Sequence, residues 1–548
     1  MNFACEISVF KYIHFVTFAQ DRFPDNVEEL KRLLIIANKN IESIQKEKEG
    51  LRNENTFLNE KLKILQAKLF GRKSEKLTPE EIIQSRLFDE VEISLREDLV
   101  LFSEETKIKI ESHERKKPGR KPLPEELHRE DVIHDISEEE KTCGCGHEKI
   151  KIGEETSEKL NIIPAKIFVE KHIRYKYACN HCEGENNNGP SVVTAPLPDA
   201  LIPKSLATSG LLAYIFTSKF VDHTPYYRLE RIFFRMGIEL TRATMSNWSV
   251  KVYEKVSLLE ELLKKELLSR AVIGIDETTL QVMNEKDRKN SVKSYMWVFR
   301  GYGRDGPVLY FLYQPTRSGK FLPEFLNGYS GVAQSDGFSG YNILESNEKI
   351  IQAGCMAHVR RKFMDAKKAS PTSKSASFAV ELIRKMYRIE DDIRKKNLSP
   401  EDVLKIRQEK TKPLMDAFRE FLVSQTGNVT PRSSLGGAVH YAISEWKKLV
   451  VFLENGNTPI DNNLVENAIR PFVIGRKNWL FSGHPDGAQA SAFFYTLIEN
   501  AKACGFEQYW YLRYLLENIM SAKTEEEYRK LLPQYIDPAI LKPRMPSS

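Results

Sequence analysis

Two strand-like runs in this chain end on an aspartate. "AVIGIDETTLQV" (271–282) carries Asp276 and "GVAQSDGFSGYN" (331–342) carries Asp336. An apolar run that stops on a carboxylate makes that group either a turn former or a reagent. A third acid, Glu466, stands in "IDNNLVENAIRPFVIGRKNWLFSG" (460–483), where Asp461 or Asn462 reads as a helix cap and Glu466 falls on the second turn. Hydrolysing a phosphodiester without a covalent enzyme intermediate requires activating water, stabilising the equatorial oxygens and accepting the leaving oxygen. Two Mg²⁺ or Mn²⁺ ions about 3.5–4 Å apart do all three. Such hard cations call for carboxylate oxygens, and three carboxylates suffice if one bridges both ions. Asp276, Asp336 and Glu466 supply that set, two from strand ends and one from a helix, in a ribonuclease-H-like layout. Glu277 faces the opposite side of its strand and competes with Asp276 for the role. The plainer readings are two turn-forming aspartates and a Glu466–Arg470 pair one helical turn apart.

Basic residues follow two of these acids. "AHVRRKF" (357–363) places His358, Arg360, Arg361 and Lys362 after Asp336, while Arg470, Arg476 and Lys477 follow Glu466. The guanidinium fork matches phosphate, so these are candidate clamps on DNA; the alternative is a solvated basic face with a core histidine. Cys355 and His358 have the spacing of a metal pair, but no second pair lies nearby, which favours a structural or DNA-contacting role for His358.

Four of the seven cysteines fall in one region, as Cys143 and Cys145 in "CGCGH" and Cys179 and Cys182 in "ACNHC", with Cys5, Cys355 and Cys504 scattered. Two pairs of soft ligands separated by a β-rich stretch predict a tetrahedral structural Zn²⁺ site in a reducing compartment rather than a disulfide framework. The second pair has the usual C-x-x-C spacing and the first is one residue tighter. His147, His172 and His181 stand as alternative ligands.

Residues 206–266 read as all-helical, with helices at "SLATSGLLAYIFTSKFVD", "TPYYRLERIFFRMG" with Pro225 near its start and Gly237 at its end, and "TRATMSNWSVKVYEKV". They fit a helix-turn-helix with Arg242, Thr244, Ser246 and Asn247 placed to reach base edges, or an ordinary bundle bracing the next domain. Upstream, "ERKKPGRKPLPEE" cannot be helical, and its Arg120 and Lys121 belong either to an extended cationic strand along DNA or to a solvated tether. Still earlier, heptads run with Leu34, Ile41, Lys48, Asn55, Leu62 and Leu69 at a, and Leu30, Ala37, Ile44, Leu51, Leu58 and Leu65 at d. This is a coiled-coil pattern, with Asn55 favouring a parallel two-stranded register and hence a homodimer or higher assembly. The alternative is one long amphipathic helix packed on its own chain.

The fold class is therefore multidomain α+β. An unassigned segment (1–24) precedes a coiled coil (25–78), a basic linker (79–140) and a small zinc-binding β module (141–200). A helical DNA-binding domain (201–268) follows. A ribonuclease-H-like α/β catalytic domain comes next in two parts (269–369 and 456–500), interrupted by a helical insertion (370–455), and a helical segment (501–548) ends the chain. The 548 residues suit several units. Their net charge of +6 leaves polyanion binding to local clusters. The apolar start "MNFACEISVFKYIHFVTFAQ" contains Glu6 and Lys11 and resembles neither a signal peptide nor a membrane span, which predicts a cytoplasmic protein. "SGKF" lacks Ser or Thr after Lys320, so no phosphate-binding loop is present.

Taken together, "LFGRKSEKL", "KKPGRKPLP", "ACNHCEG", "SDGFSGYN", "AGCMAHVRRKF", "DNNLVENAIRPFVIGRKNWLFSG" and "LIENAKACG" resemble transposases of the insertion sequence 66 family, DDE-type enzymes, from the coiled coil to near the C-terminus. The resemblance implies Asp276, Asp336 and Glu466 as the metal-binding triad, a zinc-finger-like module before the catalytic domain, and a helical insertion between the second and third acids. It further implies DNA cleavage at element ends and strand transfer, DNA as partner and small accessory proteins. In that family the first zinc knuckle has two residues between its cysteines, so the departure here bears on Cys143. The rival readings are a non-catalytic, zinc-containing DNA-binding regulator and a tyrosine recombinase, and no feature favours the latter.

Overall fold

The computed structural model describes residues 26–70, 167–178, 192–196, 199–303, 306–396 and 398–541. Cys143, Cys145, Cys179, Cys182, His147, His181, Arg120 and Lys121 lie outside them. The described residues fall into two compact units, one drawn from 1–94 and 319–464, the other from 95–318 and 465–548.

The heptad stretch is a single helix, α1 (Val27–Phe70). Leu34, Ile41, Leu51, Leu58 and Leu62 of its apolar row are 50% to 59% exposed. Of the cysteine-rich module, the described residues hold a short antiparallel pair, β1 (Lys176–Ala178) and β2 (Val192–Thr194), with β1 ending at the residue before Cys179.

Four helices follow. α2 (Ser209–Phe220) starts where Thr208 Oγ1 accepts the Leu211 N–H. α3 (Tyr226–Arg235) begins after Pro225, and the chain leaves it through Gly237, whose φ of 79° suits a residue without Cβ. α4 (Arg242–Val256) is capped by Thr241, and α5 (Leu258–Leu268) continues from it. Strands then replace helices, and β3 (Val272–Gln281), β4 (Lys293–Tyr302) and β5 (Val308–Gln314) form an antiparallel meander in which Asp276 lies opposite Val298, itself opposite Phe311.

In the other unit, β6 (Gly331–Gln334) pairs in parallel with β7 (Ile350–Ala353). Helix α6 (Met356–Ala369) follows, then α7 (Lys374–Lys395) and α8 (Pro400–Ile406), which is capped by Ser399. A π-turn (Arg407–Thr411) leads into α9 (Lys412–Gln425), and α10 (Ser434–Ser444) completes the set. Phe363 of α6, Ile383 and Met386 of α7, Phe418 of α9 and Val439 of α10 share one buried core. The helices between Asp336 and Glu466 are thus packed onto α6 as part of its own layer.

The chain returns to the unit of 95–318 and 465–548 along α11 (Asn463–Trp479), and α12 (Pro485–Ala503) and α13 (Gln508–Asn518) follow in it. The aromatic face of α12 packs Phe494 against Phe216 and Phe220 of α2, and Tyr495 against Phe311 of β5. Its polar side chains then saturate a strand edge. Asn500 accepts the Leu309 N–H and donates to the Leu309 carbonyl, and Thr496 Oγ1 accepts the Phe311 N–H. An uncovered edge would template further strand pairing, so these buried hydrogen bonds close the meander on that side.

Candidate active site

β3 is buried from Val272 to Ile275 and half-buried from Asp276 to Thr279, and Asp276 lies midway along a strand that pairs with β4 as far as Gln281, not at its end as the sequence predicts. Its Oδ1 accepts the Glu277 N–H at 2.8 Å. Glu277, on the other face, has a side chain only 3% exposed and takes the Arg317 Nε–H at 2.6 Å. Alternation along β3 therefore distinguishes the two acids: Glu277 is closed off and neutralised by Arg317, while Asp276 stays partly open.

Asp336 follows β6 and is half-buried. Its Oδ1 accepts the Phe338 N–H at 3.0 Å, an Asx turn that fixes the carboxylate, and among the described residues Oδ2 has no protein donor. Gly337 is required beside it, since a Cβ there would stand 2.6 Å from Tyr441 Oη. The Tyr441 hydroxyl takes the Gly337 N–H, and burial first, then Glu445, Cys355 and Asp336, hold its pKa above the ordinary phenol value. Tyr441 is thus a neutral phenol lying over the loop that carries Asp336, with Lys362 Nζ 4.6 Å from its ring centroid.

Glu466 lies in the first turn of α11 rather than the second, because the helix begins at Asn463. Asp461, two residues before the helix, accepts the Asn463 N–H and Nδ2–H. The residues leading into it are fixed one after another. Arg407 donates to Thr458 O, Gln334 Nε2 to Pro459 O (2.7 Å) and Met356 N to Ile460 O (3.1 Å). Tyr387 Oη donates to Asp461 Oδ2 (2.6 Å), and Asn462 N donates to Cys355 Sγ (3.3 Å). Burial and the Asp461 charge push the Tyr387 hydroxyl well above its usual pKa, so it remains a donor. At the far end of α11, Arg476 donates to Thr278 Oγ1 (2.9 Å), to Thr279 Oγ1 (3.1 Å) and to the Thr279 carbonyl. Ser482 N then donates to Gln281 O. The helix that carries Glu466 is therefore tied to the strand that carries Asp276.

Of the basic candidates, His358 and Arg360 are half-buried on α6 and Arg361 is exposed; Arg470 is half-buried and Lys477 exposed on α11. Cys355 Sγ and a His358 ring nitrogen lie within 4.8 Å, yet the sulfur already accepts a backbone N–H, which gives Cys355 a structural part. On α4, Arg242 and Asn247 are exposed, while Thr244 is half-buried and engaged with Thr241 through both its N–H and its hydroxyl. His172 is exposed, with Nε2 3.8 Å from Glu170. Arg317, Tyr387 and Tyr441 carry no signal in the sequence, since each works through a partner at least 40 residues away.

Residues 204–490 match the family model described as transposase IS66 family. Residues 140–183, which include all four clustered cysteines, match the zinc-finger binding domain of transposase IS66. Residues 58–132 match the model described as transposase C of IS166 homeodomain, and 496–534 match the IS66 C-terminal element. Among relatives, the uncharacterized protein y4qI of Sinorhizobium fredii is 33% identical over 494 residues, 87% of this chain and 88% of its own length. The uncharacterized protein y4jD of the same organism is 33% identical over 75% of this chain and 81% of its own.

Proposed function

The chain belongs to the transposase IS66 family, and from that premise we propose that it cleaves DNA at the ends of an insertion element and joins the released 3′ ends to target DNA. Asp276, Asp336 and Glu466 are the metal-holding carboxylates in this reading. The observation that carries it is the treatment of the acids by their elements. Asp276, midway along β3, and Asp336, two residues beyond β6, are both half-buried and each accepts a backbone N–H, whereas Glu277 is neutralised by Arg317. The donor set fits a hard divalent cation, and Asp336 keeps an oxygen without a protein donor among the described residues. Mg²⁺ or Mn²⁺ bound there supplies activation of water and neutralisation of charge on phosphate oxygens.

The chain's own residues supply rigidity. The succession of hydrogen bonds from Thr458 to Asn463 sets the start of α11, and Arg476 sets its far end, so Glu466 has little freedom to relax when charge builds on a phosphate. An antiparallel meander whose first strand bears Asp276, followed by a parallel pair leading to Asp336 and then a helix bearing Glu466, supports a ribonuclease-H-like catalytic domain. Cys143, Cys145, Cys179 and Cys182 hold a structural Zn²⁺ in this reading. α3 and α4 form the helix-turn-helix, with Arg242 and Asn247 toward DNA, and the exposed heptad row of α1 pairs two copies. His358, Arg360, Arg361, Arg470 and Lys477 are proposed phosphate contacts, whereas Arg476 serves to position α11. Among the described residues no helix is long and apolar enough to cross a membrane.

The test is strand transfer with purified protein, pre-cut duplexes bearing the repeats that flank the gene, a supercoiled target, and Mg²⁺ or Mn²⁺ against EDTA. Asp276→Asn, Asp336→Asn and Glu466→Gln should each abolish metal-dependent joining and retain duplex binding, while Glu277→Gln joins. Binding without joining by the unmodified protein, with the neighbouring gene products added, would favour the regulator reading.

A further inference from the structure

α3 carries an unneutralised basic face that the reading above does not use. Arg228, Arg231 and Arg235 are spaced i, i+3 and i+7, so they fall on one side of the helix, with Tyr227 and Phe234 beside them. Leu229 and Phe233 lie on the other side and are each 1% exposed. All three arginines are exposed, as is Arg242 at the start of α4. Tyr227 is 50% and Phe234 64% exposed.

Among the described residues none of these four guanidiniums is ion-paired. The one acid on α3, Glu230, is turned to another task, accepting the backbone N–H of Arg242 at 3.1 Å and so joining the two helices. Arg231 and Arg242 both lie over the Tyr227 ring, 5.5 and 6.0 Å from its centroid, a contact that orders a guanidinium without neutralising it. A solvated helix face ordinarily mixes signs; this face of α3 presents three positive charges, with Arg242 at the start of α4 beside them, and bears no acid of its own.

We infer that α3 lies along the phosphate backbone of duplex DNA, with Arg228, Arg231 and Arg235 each contacting a phosphate and Arg242 extending the row toward the groove entered by α4. From Arg228 to Arg235 the helix rises about 10 Å, the axial length over which one DNA strand carries about three phosphates. Guanidiniums on that spacing suit a regular array of monoanions, and the neighbouring rings suit the sugar edges between them. This division of labour gives α3 affinity without sequence information and leaves discrimination to α4. It rests on the reading of α3 and α4 as a DNA-binding pair.

The experiment measures full-chain binding to a terminal-repeat duplex and a scrambled duplex across a salt series. The proteins are the unmodified chain, the triple variant Arg228→Gln, Arg231→Gln, Arg235→Gln, the corresponding triple Arg→Lys variant, and Asn247→Ala. Losing three phosphate contacts should lower the slope of log affinity against log salt by about 2.7, so the affinity lost between 50 and 200 mM salt shrinks roughly 40-fold. The glutamine variant should show this on both duplexes with its preference between them unchanged, and the lysine variant should keep the original slope. Asn247→Ala should do the reverse, losing preference and keeping slope. An unchanged slope in the glutamine variant, or a lost preference with the slope intact, overturns the assignment of α3 alone. Failure of the unmodified chain to bind either duplex overturns it together with the reading of α3 and α4.

Discussion

Replacing Arg407 with methionine should unfold much of the helical layer that leads to Glu466. Arg407 opens the π-turn between α8 and α9 and is 3% exposed. Its Nε and Nη2 donate to the two oxygens of Glu390 at 2.8 and 2.6 Å, a bidentate pair. Its Nη1 donates to the carbonyls of Phe452 (2.8 Å), Asn455 (3.2 Å) and Thr458 (2.8 Å), and the guanidinium lies 5.2 Å from the Phe452 ring centroid. Removing one partner of a buried ion pair costs about 3–5 kcal/mol because the other charge is stranded. Replacing both partners with apolar groups of similar volume ordinarily recovers that loss. Here it should not, because the three carbonyls also lose their donor, at roughly 1–3 kcal/mol per buried group left unsatisfied. Arg407→Met should therefore destabilise this unit by about 4 kcal/mol or more, and the double variant Arg407→Met, Glu390→Leu should remain about 2 kcal/mol below the unmodified protein. Urea melts combined with amide exchange over residues 380–463 resolve this unit from the other. A double variant as stable as the parent, or a single variant within about 1 kcal/mol of it, would refute the reasoning that Arg407 acts chiefly on backbone carbonyls.

Two further outcomes follow from buried polar groups on α2 and α11. Lys219 is 9% exposed, with Nζ 4.9 Å from the centroids of both Tyr226 and Trp479, and burial draws its pKa from 10.5 down to about 7. With the folded value below the unfolded one, the unfolded chain takes the proton first, so stability falls as pH drops from about 10.5 to 7 and is flat below. Lys219→Met should gain up to roughly 4 kcal/mol at pH 7, less about 1 kcal/mol for each ring contact that favours the cation, and the gain should shrink steadily as pH rises toward 10.5; a pH-independent difference in melts of the two proteins refutes it. At Gly475, a Cβ would stand 2.4 Å from Tyr495 Oη, 2.8 Å from Trp479 Nε1 and 3.1 Å from His223 Nδ1. Gly475→Ala should therefore destabilise by about 1–3 kcal/mol despite alanine's better helix propensity, and adding Tyr495→Phe should restore part of the loss; a more stable Gly475→Ala protein contradicts the crowding.

Local signals carried the helix limits well. Gly237 closes α3 as expected, and the strand-like runs from Ala271 form the antiparallel meander, although their burial comes in continuous blocks rather than alternating. The parallel strand β7 escaped notice because four residues, "IIQA", show no period of their own. The π-turn at Arg407 was equally silent, since the sequence there reads as uninterrupted helix and the turn exists to aim one side chain at a loop some 50 residues on. The candidate site divides in the same way. Asp336 does follow a strand end, but β3 runs on past Asp276 to Gln281, and the difference between Asp276 and Glu277 depends on Arg317, 40 residues from Glu277. The hydroxyl over Gly337 belongs to Tyr441, about 100 residues further along the chain.

The arginines show why composition could not settle the partner. A net charge of +6 over 548 residues is nearly neutral, and every arginine in a motif looks equally available to phosphate. The structure separates them by what already occupies their donors. Arg407 is consumed by a carboxylate and three carbonyls, Arg476 by two threonines of β3, and Arg317 by Glu277. Removing any of these disturbs the protein before it disturbs a ligand. Arg228, Arg231, Arg235 and Arg242 hold exposed positions without a carboxylate, and two of them are ordered by a ring that leaves their charge intact. Desolvating a guanidinium against phosphate yields net affinity only if it was not already paired, so the second group is the one whose substitution should appear in the salt dependence of binding. A basic motif in this chain is thus informative about DNA only after its internal hydrogen bonds have been subtracted, and Arg476, among the strongest candidates by sequence position, is the one that subtraction moves from ligand to scaffold.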